Sequence, residues 1–381
     1  MTAHQPLRLL HLYAGNLYGG IETLLSTIAS SRDLSPELES SFGLCFKGRL
    51  WEELRQSNAE VHHFGDVRWR QPWTVLRARN LLLKVLKSNR FDAIATHANW
   101  PHAVFAPAAK KARIPIINFV HDAFRSLTWI DRLAGLTKPN VVIANSNYSQ
   151  SFVSRVFPNV RSEVVYYPVR KKSVSCHTRT SVRCELSTHE NSTVFIQVSR
   201  LEPWKGADRT LTALGRMKDN LGWTAWFVGG AQRPKELDYE QHLLRLANEL
   251  GIAHRVRFLG ERNDVSRLLS AADVFCQPNS FPEPFGIVFI EALQAGCAIV
   301  TSNVGGASEI VNSSCGGHCS IDSIESLVHV LTSYLIPSNR PNPADCVFRS
   351  ASLCDARSQL NKYRNLLTDI TLKHEMRHKS N

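Results

Sequence analysis

The sequence predicts an α/β protein made of two doubly wound domains on parallel sheets, and three observations carry that expectation. At 381 residues the chain exceeds what one core usually accommodates. Short apolar runs alternate with segments of helical period along most of it. From Arg170 to Ser192 the sequence turns polar, basic and aperiodic, which reads as a linker or surface excursion. The expected division is 1–168 for the first domain, 169–192 for the linker, 193–355 for the second domain and 356–381 for a closing helix.

Leu7 to Tyr13 is the first apolar run. Arg8 and His11 interrupt it and no small-residue cleavage site follows, so it reads as a strand and not as a signal peptide. Ala14-Gly15-Asn16-Leu17-Tyr18-Gly19-Gly20-Ile21-Glu22 comes next, then an amphipathic helix through Leu24, Leu25, Ile28 and Ala29. Strand, glycine loop and helix is an arrangement that brings backbone amides close to a phosphate or substrate. It is neither the Gly-x-Gly-x-x-Gly fingerprint nor a P-loop, and a glycine turn here is common in any doubly wound sheet.

Further strands are expected at Phe42 to Phe46, Val61 to Phe64, Asp92 to Thr96, Ile114 to Val120, Val141 to Asn145 and Glu163 to Tyr167. His97 ends one and His121-Asp122 ends another. Carboxyl ends of parallel strands face the ligand crevice, which places both histidines for function, although a lone strand-end His is more often structural. Ser146 reads equally well as a plain helix N-cap. Arg68 to Arg90 carries Arg68, Arg70, Arg77, Arg79, Lys84, Lys87 and Arg90 with no acidic residue. On a helix, Val75, Ala78, Leu82, Val85 and Leu86 share one face, while Arg77, Lys84 and Lys87 stand opposite with Trp73, Leu76 and Leu83. Such a face suits docking onto anionic lipid, or is a solvated basic face with its leucines covered by a loop.

In the second half, Val194 to Val198 is a strand that leads into Ser199-Arg200-Leu201-Glu202-Pro203-Trp204-Lys205-Gly206-Ala207-Asp208 and a helix through Leu211, Leu214 and Met217. As isolated residues Arg200 and Lys205 would be surface charges. In a strand-to-helix loop they can converge on one diphosphate, Arg as a fork and Lys as a point charge. Strands are expected again at Trp223 to Gly230, Val256 to Gly260, Asp273 to Gln277 and Ala298 to Thr301. Between the last two, Glu283-Pro284-Phe285-Gly286 opens a helix through Ile287, Val288, Ile290, Glu291 and Leu293. The helix N-terminus around Phe285, Gly286 and Ile287 suits an anion. Glu283 and Glu291, about 12 Å apart if helical rise applied throughout, could take the hydroxyls at either end of a diphosphate, or merely cap and solvate the helix. Cys315-Gly-Gly-His318-Cys319 lacks a second half at metal-ligand spacing and reads as a small-residue loop, not a zinc site. Ala356, Leu360, Tyr363, Leu367 and Ile370 form the stripe of the closing helix.

The hydrophobic share of 43% and charged share of 20% are those of a soluble globular protein, and the net charge of +12 implies an acidic partner. No run approaches the roughly 18 apolar residues of a membrane helix. Nine scattered cysteines with no secretory segment ahead of them suggest reduced thiols in a cytosol.

Pro278-x(4)-Glu-Pro-Phe-Gly, Glu291-Ala292, Ala295-Gly296 and Gly305-Gly306-x-x-Glu-Ile-Val together resemble the Glu-x(7)-Glu region of the retaining family 4 glycosyltransferases. The resemblance covers nearly the whole chain, most strongly from Val194 to Val311. It implies the GT-B fold: two Rossmann-like domains facing across a cleft, with the final helix crossing back to the first domain. It implies donor contacts at Gly19, Gly20, Arg200, Lys205, Glu283, Phe285, Gly286, Ile287, Val288 and Glu291. His121, Glu283, Arg200 and Lys205 would take catalytic roles, and His97 and Ser146 would lie toward the acceptor or cleft. The family usually has Gly at the position of Ser199, and it commonly has an aliphatic Gly-x-Leu-Val stretch where this chain has Gly316-Gly317-His318-Cys319-Ser320.

The activity so implied is retaining, metal-independent transfer of a hexose from a UDP- or GDP-linked donor to an acceptor hydroxyl, in polysaccharide, lipopolysaccharide or glycolipid synthesis. No cofactor and no nucleic acid are expected; the site is cytoplasmic, or peripheral on the inner face of the cell membrane through Arg68–Arg90. The alternatives are a sugar-nucleotide epimerase or phosphorylase on the same fold, and a non-catalytic basic protein binding membrane or nucleic acid. Carboxylates beside the cations argue against pure binding.

Overall fold

The computed structural model describes residues 6–16, 19–171, 175, 177–231 and 233–379. Leu17 and Tyr18 of the glycine loop, 172–174 and 176 of the expected linker, and Ser380 and Asn381 of the closing segment lie outside the described residues. The chain divides into two compact units, Met1–Arg170 with Cys354–Asn381, and Lys171–Leu353.

The first unit holds a seven-stranded sheet in the order β3-β2-β1-β4-β5-β6-β7. Its strands are β1 Leu7–Tyr13, β2 Leu38–Leu44, β3 Val61–His63, β4 Ala93–His97, β5 Ile116–Val120, β6 Val141–Ala144 and β7 Ser162–Val164. Every pairing is parallel. Side chains alternate across a strand, so neighbours in β1 serve different cores. Leu10 and Leu12 pack with Val75, Ala78, Leu82, Val104 and Phe105 of the Pro72–Ser88 and Asn99–Lys111 helices. Leu9 packs with Ala95, Ile117 and Phe119 against Tyr363, Leu367 and Ile370 of the Ala356–Lys379 helix. Each such side chain contributes about 1.5–3 kcal/mol by leaving water. The closing helix thereby completes the first core from the far end of the sequence.

The Pro72–Ser88 helix buries Val75, Ala78 and Leu82 as its period requires, and leaves Trp73 and Leu76 exposed. Leu83 differs from the expectation, since it is partly buried against that same core. Arg79 ties this helix to the next. Pro107 inside the Asn99–Lys111 helix has no N–H for the carbonyl four residues back, and Arg79 donates to Ala103 O at 3.0 Å and Val104 O at 2.7 Å.

The second unit holds six parallel strands in the order β10-β9-β8-β11-β12-β13. They are β8 Thr193–Val198, β9 Trp223–Val228, β10 Val256–Phe258, β11 Val274–Gln277, β12 Ala298–Ser302 and β13 Gly316–Cys319. β13 replaces the loop expected around Cys315 to Cys319. Gly316 makes this pairing possible, because a Cβ there would lie 2.3 Å from Ile299 O.

The segment 169–192, read as a linker, contains a helix at Thr178–Glu185. Its buried side is Arg183 as much as Val182, so no apolar period announces it. Arg183 donates to Ala271 O, Glu190 O and Ser192 O and pairs with Asp273 at 2.9 Å. Arg179 and Arg340 reach the same carboxylate at 2.8 and 3.4 Å.

Removing one partner of a buried pair leaves the other charge uncompensated. Asp273→Ala is therefore expected to destabilise the second unit by about 3–5 kcal/mol. Urea unfolding monitored by circular dichroism measures this.

Candidate functional site

In each sheet the chain starts near the middle, builds to one edge and then returns to build to the other. The strand order therefore reverses between β1 and β4 in the first unit and between β8 and β11 in the second. At such a switch point the loops leaving adjacent strands part in opposite directions and open a crevice at the carboxyl ends.

In the second unit, the crevice is bounded by the loop after β8 and the loop after β11. Gly206, left-handed at φ +73°, lets the first approach the second so closely that a Cβ would lie 2.3 Å from Pro278 O. Ser280 N–H donates to Trp204 O at 2.9 Å, which fastens the two loops. Gln197 donates to Lys205 O at 2.9 Å and accepts from Thr210, which fixes the backbone of Lys205 from below.

Lys205 Nζ forms an ion pair with Glu283 Oε2, and its ammonium also sits 3.9 Å from the centroid of the Trp204 ring. Arg200 donates to Glu202 Oε2 at 3.2 Å, and Trp204 Nε1 donates to the same oxygen at 2.9 Å. Ser199, where a Gly is usual, is accommodated because the close approach falls on Gly229, whose Cβ would lie 1.9 Å from Ser199 O.

Glu283 is buried and lies ahead of the helix, so helical rise does not set its separation from Glu291. Its backbone forms a bridge with Gly305, and its carbonyl accepts from Gly306 N–H at 2.7 Å. Cβ atoms at Gly305 and Gly306 would lie 2.4 Å from Glu283 O and 2.2 Å from Pro284 O, so only glycine permits the contact. Gln277 donates to Glu283 Oε2 at 3.4 Å and to Asn279 Oδ1 at 3.0 Å. Gln277 Oε1 and Asn279 Nδ2 are buried without a hydrogen-bond partner among the described residues. Gly286 caps the Ile287–Gln294 helix at φ +84°. The first-turn N–H groups of Ile287 and Val288 have no acceptor within the helix, Phe285 is buried beneath them, and Glu291 is half-buried on the same helix.

The structure thus gathers Arg200, Lys205, Glu283, Gly286, Ile287 and Val288 at one strand-end crevice. Glu202, Gln277 and Asn279 join them, three residues that the sequence reading passed over.

The first unit places His97 and His121 in a row with a third residue that the sequence did not single out. His11 Nδ1 is 2.8 Å from His97 Nε2, and His97 Nδ1 is 3.2 Å from His121 Nε2. His121 Nδ1 is 2.6 Å from Tyr167 Oη, which also accepts from Asn145 at 3.3 Å. His97 is the wholly buried middle member, so it can influence a ligand only through its neighbours. Both ring nitrogens of His121 are engaged. Burial holds His11 and His121 down at about 3 and His97 well below its usual range, so all three are neutral near pH 7. Neutral rings in such a chain must share one tautomer, each passing its single N–H in the same direction.

Gly20 belongs to this group, since a Cβ there would touch the Tyr167 ring at 3.8 Å. That is an ordinary contact, and Gly19 is extended at φ −172°, so neither glycine is demanded by local crowding or backbone strain. Ser146 is buried and its Oγ accepts from Ser149 N–H at 3.0 Å, the N-cap geometry.

Comparison with known proteins agrees with this architecture. The family described as Glycosyl transferases group 1 matches residues 179–344, and Glycosyltransferase Family 4 matches residues 44–171. Between them they take in most of the chain, which belongs to the family 4 glycosyltransferases and has the GT-B fold. The lipopolysaccharide glucosyltransferase WaaG of Escherichia coli is 35% identical over 153 residues, 39% of this chain and 39% of that protein. A D-inositol 3-phosphate glycosyltransferase of a Mycobacterium species is 34% identical over 148 residues, 38% of this chain and 33% of the relative. These alignments span well under half of either relative. The crystal structure of Anabaena Alr3699/HepE in complex with UDP and glucose superposes with a TM-score of 0.82 at 25% identity, covering 95% of this chain and 100% of that one.

The histidine row has a consequence for stability. In the unfolded chain these residues bind protons below about pH 6.5, whereas the folded state keeps them neutral down to about pH 3. The unfolded state is thus favoured progressively as pH falls, by up to about 1.4 kcal/mol per pH unit for each ring. Thermal unfolding between pH 7.5 and 4.5 should show a steep acid loss, shallower in His97→Gln even though that variant starts from a lower Tm.

Proposed function

We propose that this protein transfers a hexose from a UDP- or GDP-linked donor to an acceptor hydroxyl with retention at the anomeric carbon, within cell-surface polysaccharide, lipopolysaccharide or glycolipid synthesis. The observation that supports this most is the meeting of Lys205 and Glu283 at the switch point of the second sheet, with Arg200 beside them. In the reaction, the bond from the anomeric carbon to the diphosphate oxygen breaks and its electron pair leaves with the diphosphate. The acceptor oxygen bonds the same face of the carbon, and its proton passes to the departing phosphate. Arg200, Lys205 and the amides of Ile287 and Val288 would stabilise the leaving charge where it develops. Glu283 would orient the hexose and Glu291 the ribose, while His121 and the Gly19-Gly20 turn keep the roles that the resemblance assigns them. Because side chains supply the neutralising charge, turnover should be unchanged by chelators.

The acceptor on this reading is lipid-linked, and a specific surface favours that choice. Trp73 and Leu76 on the Pro72–Ser88 helix are 64% and 58% exposed, and Trp129 at the start of the Trp129–Gly135 helix and Leu136 just past its end are 55% and 77% exposed. Trp69, just ahead of the first of these helices, meets Trp129 edge to face at 5.5 Å, which brings the two segments into one face. Arg68, Arg70, Arg77, Lys84, Lys87, Arg125, Arg132 and Lys138 lie along 68–88 and 125–138, whose single acidic residue, Asp131, is buried as a partner of Thr128 and Asn99. Exposed indoles beside cations suit an anionic bilayer surface, where each basic residue contributes about 1 kcal/mol. Among the described residues no helix is long and apolar enough to cross a membrane.

Incubation with a panel of UDP- and GDP-sugars should release nucleotide, and NMR of the product should show the donor's anomeric configuration. Lys205→Ala and Glu283→Gln should each lower kcat/KM by about 10²–10³. Failure of both UDP and GDP to raise the Tm would overturn the donor assignment.

Vesicles containing phosphatidylglycerol should sediment the protein at low salt, whereas phosphatidylcholine vesicles should not. A Trp73→Ser/Trp129→Ser variant should lose most of that binding while keeping its Tm.

A further inference from the structure

Lys205 and Arg200, the two cations assigned to the diphosphate, are already paired with carboxylates. Glu283 has a place in the proposed reaction, but Glu202 has none. It is nevertheless held with care. Its N–H donates to Arg200 O at 2.8 Å, and its Oε2 takes the Trp204 indole N–H at 2.9 Å and an Arg200 N–H at 3.2 Å. Its side chain is only 18% exposed, against 36% for Arg200. With Glu202 and Glu283 in place, the formal charge of this set of four side chains is zero, an odd balance for a seat meant to receive a dianion or trianion.

We propose that Glu202 is an internal competitor of the nucleoside diphosphate, a positioning residue that acts through Arg200. This rests on the donor assignment above. Its carboxylate occupies a guanidinium donor of Arg200, and the diphosphate must win that donor from it. A pyrophosphoryl group, richer in charge when it leaves than when it is esterified to sugar, competes best at departure. Glu202 therefore biases Arg200 toward the transition state and away from the ground state, and hastens release of the nucleotide afterwards.

A plain loop brace would behave differently. Glutamine keeps an oxygen that can accept from Trp204 and Arg200 but removes the charge, so Glu202→Gln separates the two roles. The competitor predicts that Glu202→Gln binds UDP or GDP about five- to fiftyfold more tightly by calorimetry. The matching uncharged nucleoside should bind both proteins equally. Under turnover KM should fall and kcat should fall with it, as product release becomes limiting. Glu202→Ala, which removes both charge and brace, should also bind the diphosphate more tightly than wild type. Unchanged diphosphate affinity in Glu202→Gln, with normal binding to wild type, overturns the competitor and leaves the donor assignment standing. Weakened binding in Glu202→Ala alone would mark a brace and overturn it as well. If wild type binds neither UDP nor GDP, the donor assignment itself fails and the competitor fails with it.

Discussion

Lys205 can meet Glu283 only because three loops, those after β8, β11 and β12, are allowed to touch backbone to backbone. Three glycines make that possible: Gly206 against Pro278, and Gly305 with Gly306 against Glu283 and Pro284. A side chain at any of them would push apart segments that hydrogen bonds from Ser280 and Gly306 otherwise clasp. The chemistry of the crevice is thus a consequence of missing side chains as much as of the charged ones. Beneath it, Gln197 and Gln277 hold the lysine backbone and the glutamate carboxylate from adjacent strands β8 and β11, so the pair is positioned from the sheet and not only from the loops.

The first unit uses a different device at the corresponding place. Where the second unit sets charges against charges, β1, β4 and β5 line up three neutral imidazoles. Burial forbids charge there, so order is kept by hydrogen-bond direction. A change of tautomer at one ring would have to be matched at all three, which makes the row stiff and makes Tyr167 the member through which it meets the glycine turn.

How much of this was legible depends on whether a residue advertises itself locally. Arg200, Lys205, Glu283 and Gly286 sit in strand-to-helix loops, and the alternation of apolar runs already places such loops at the carboxyl edge of a sheet. The two-sheet architecture and the buried stripe of the closing helix could be read for the same reason. His11 could not, because it merely interrupts an apolar run, and its partner lies 86 residues away on a strand that becomes adjacent only in the folded sheet. Gln277 was hidden at the end of a strand. The Thr178–Glu185 helix escaped notice because its inward side chain is an arginine, and hydrophobic patterning does not register a buried guanidinium. Glu202 reads as one more surface acid until its indole partner is seen.

The clamp that Arg79 makes on the carbonyl of Ala103, freed by Pro107, and on that of Val104 has a mechanical implication. A helix attached only by apolar side chains can roll about its own axis at little cost, since greasy contacts are non-directional. A planar fork with two fixed acceptors resists that rotation. Trp73 and Leu76 are therefore carried on a shaft that is keyed against turning, and a load applied at the indole would be passed to the neighbouring helix and the sheet behind it without being lost as torsion.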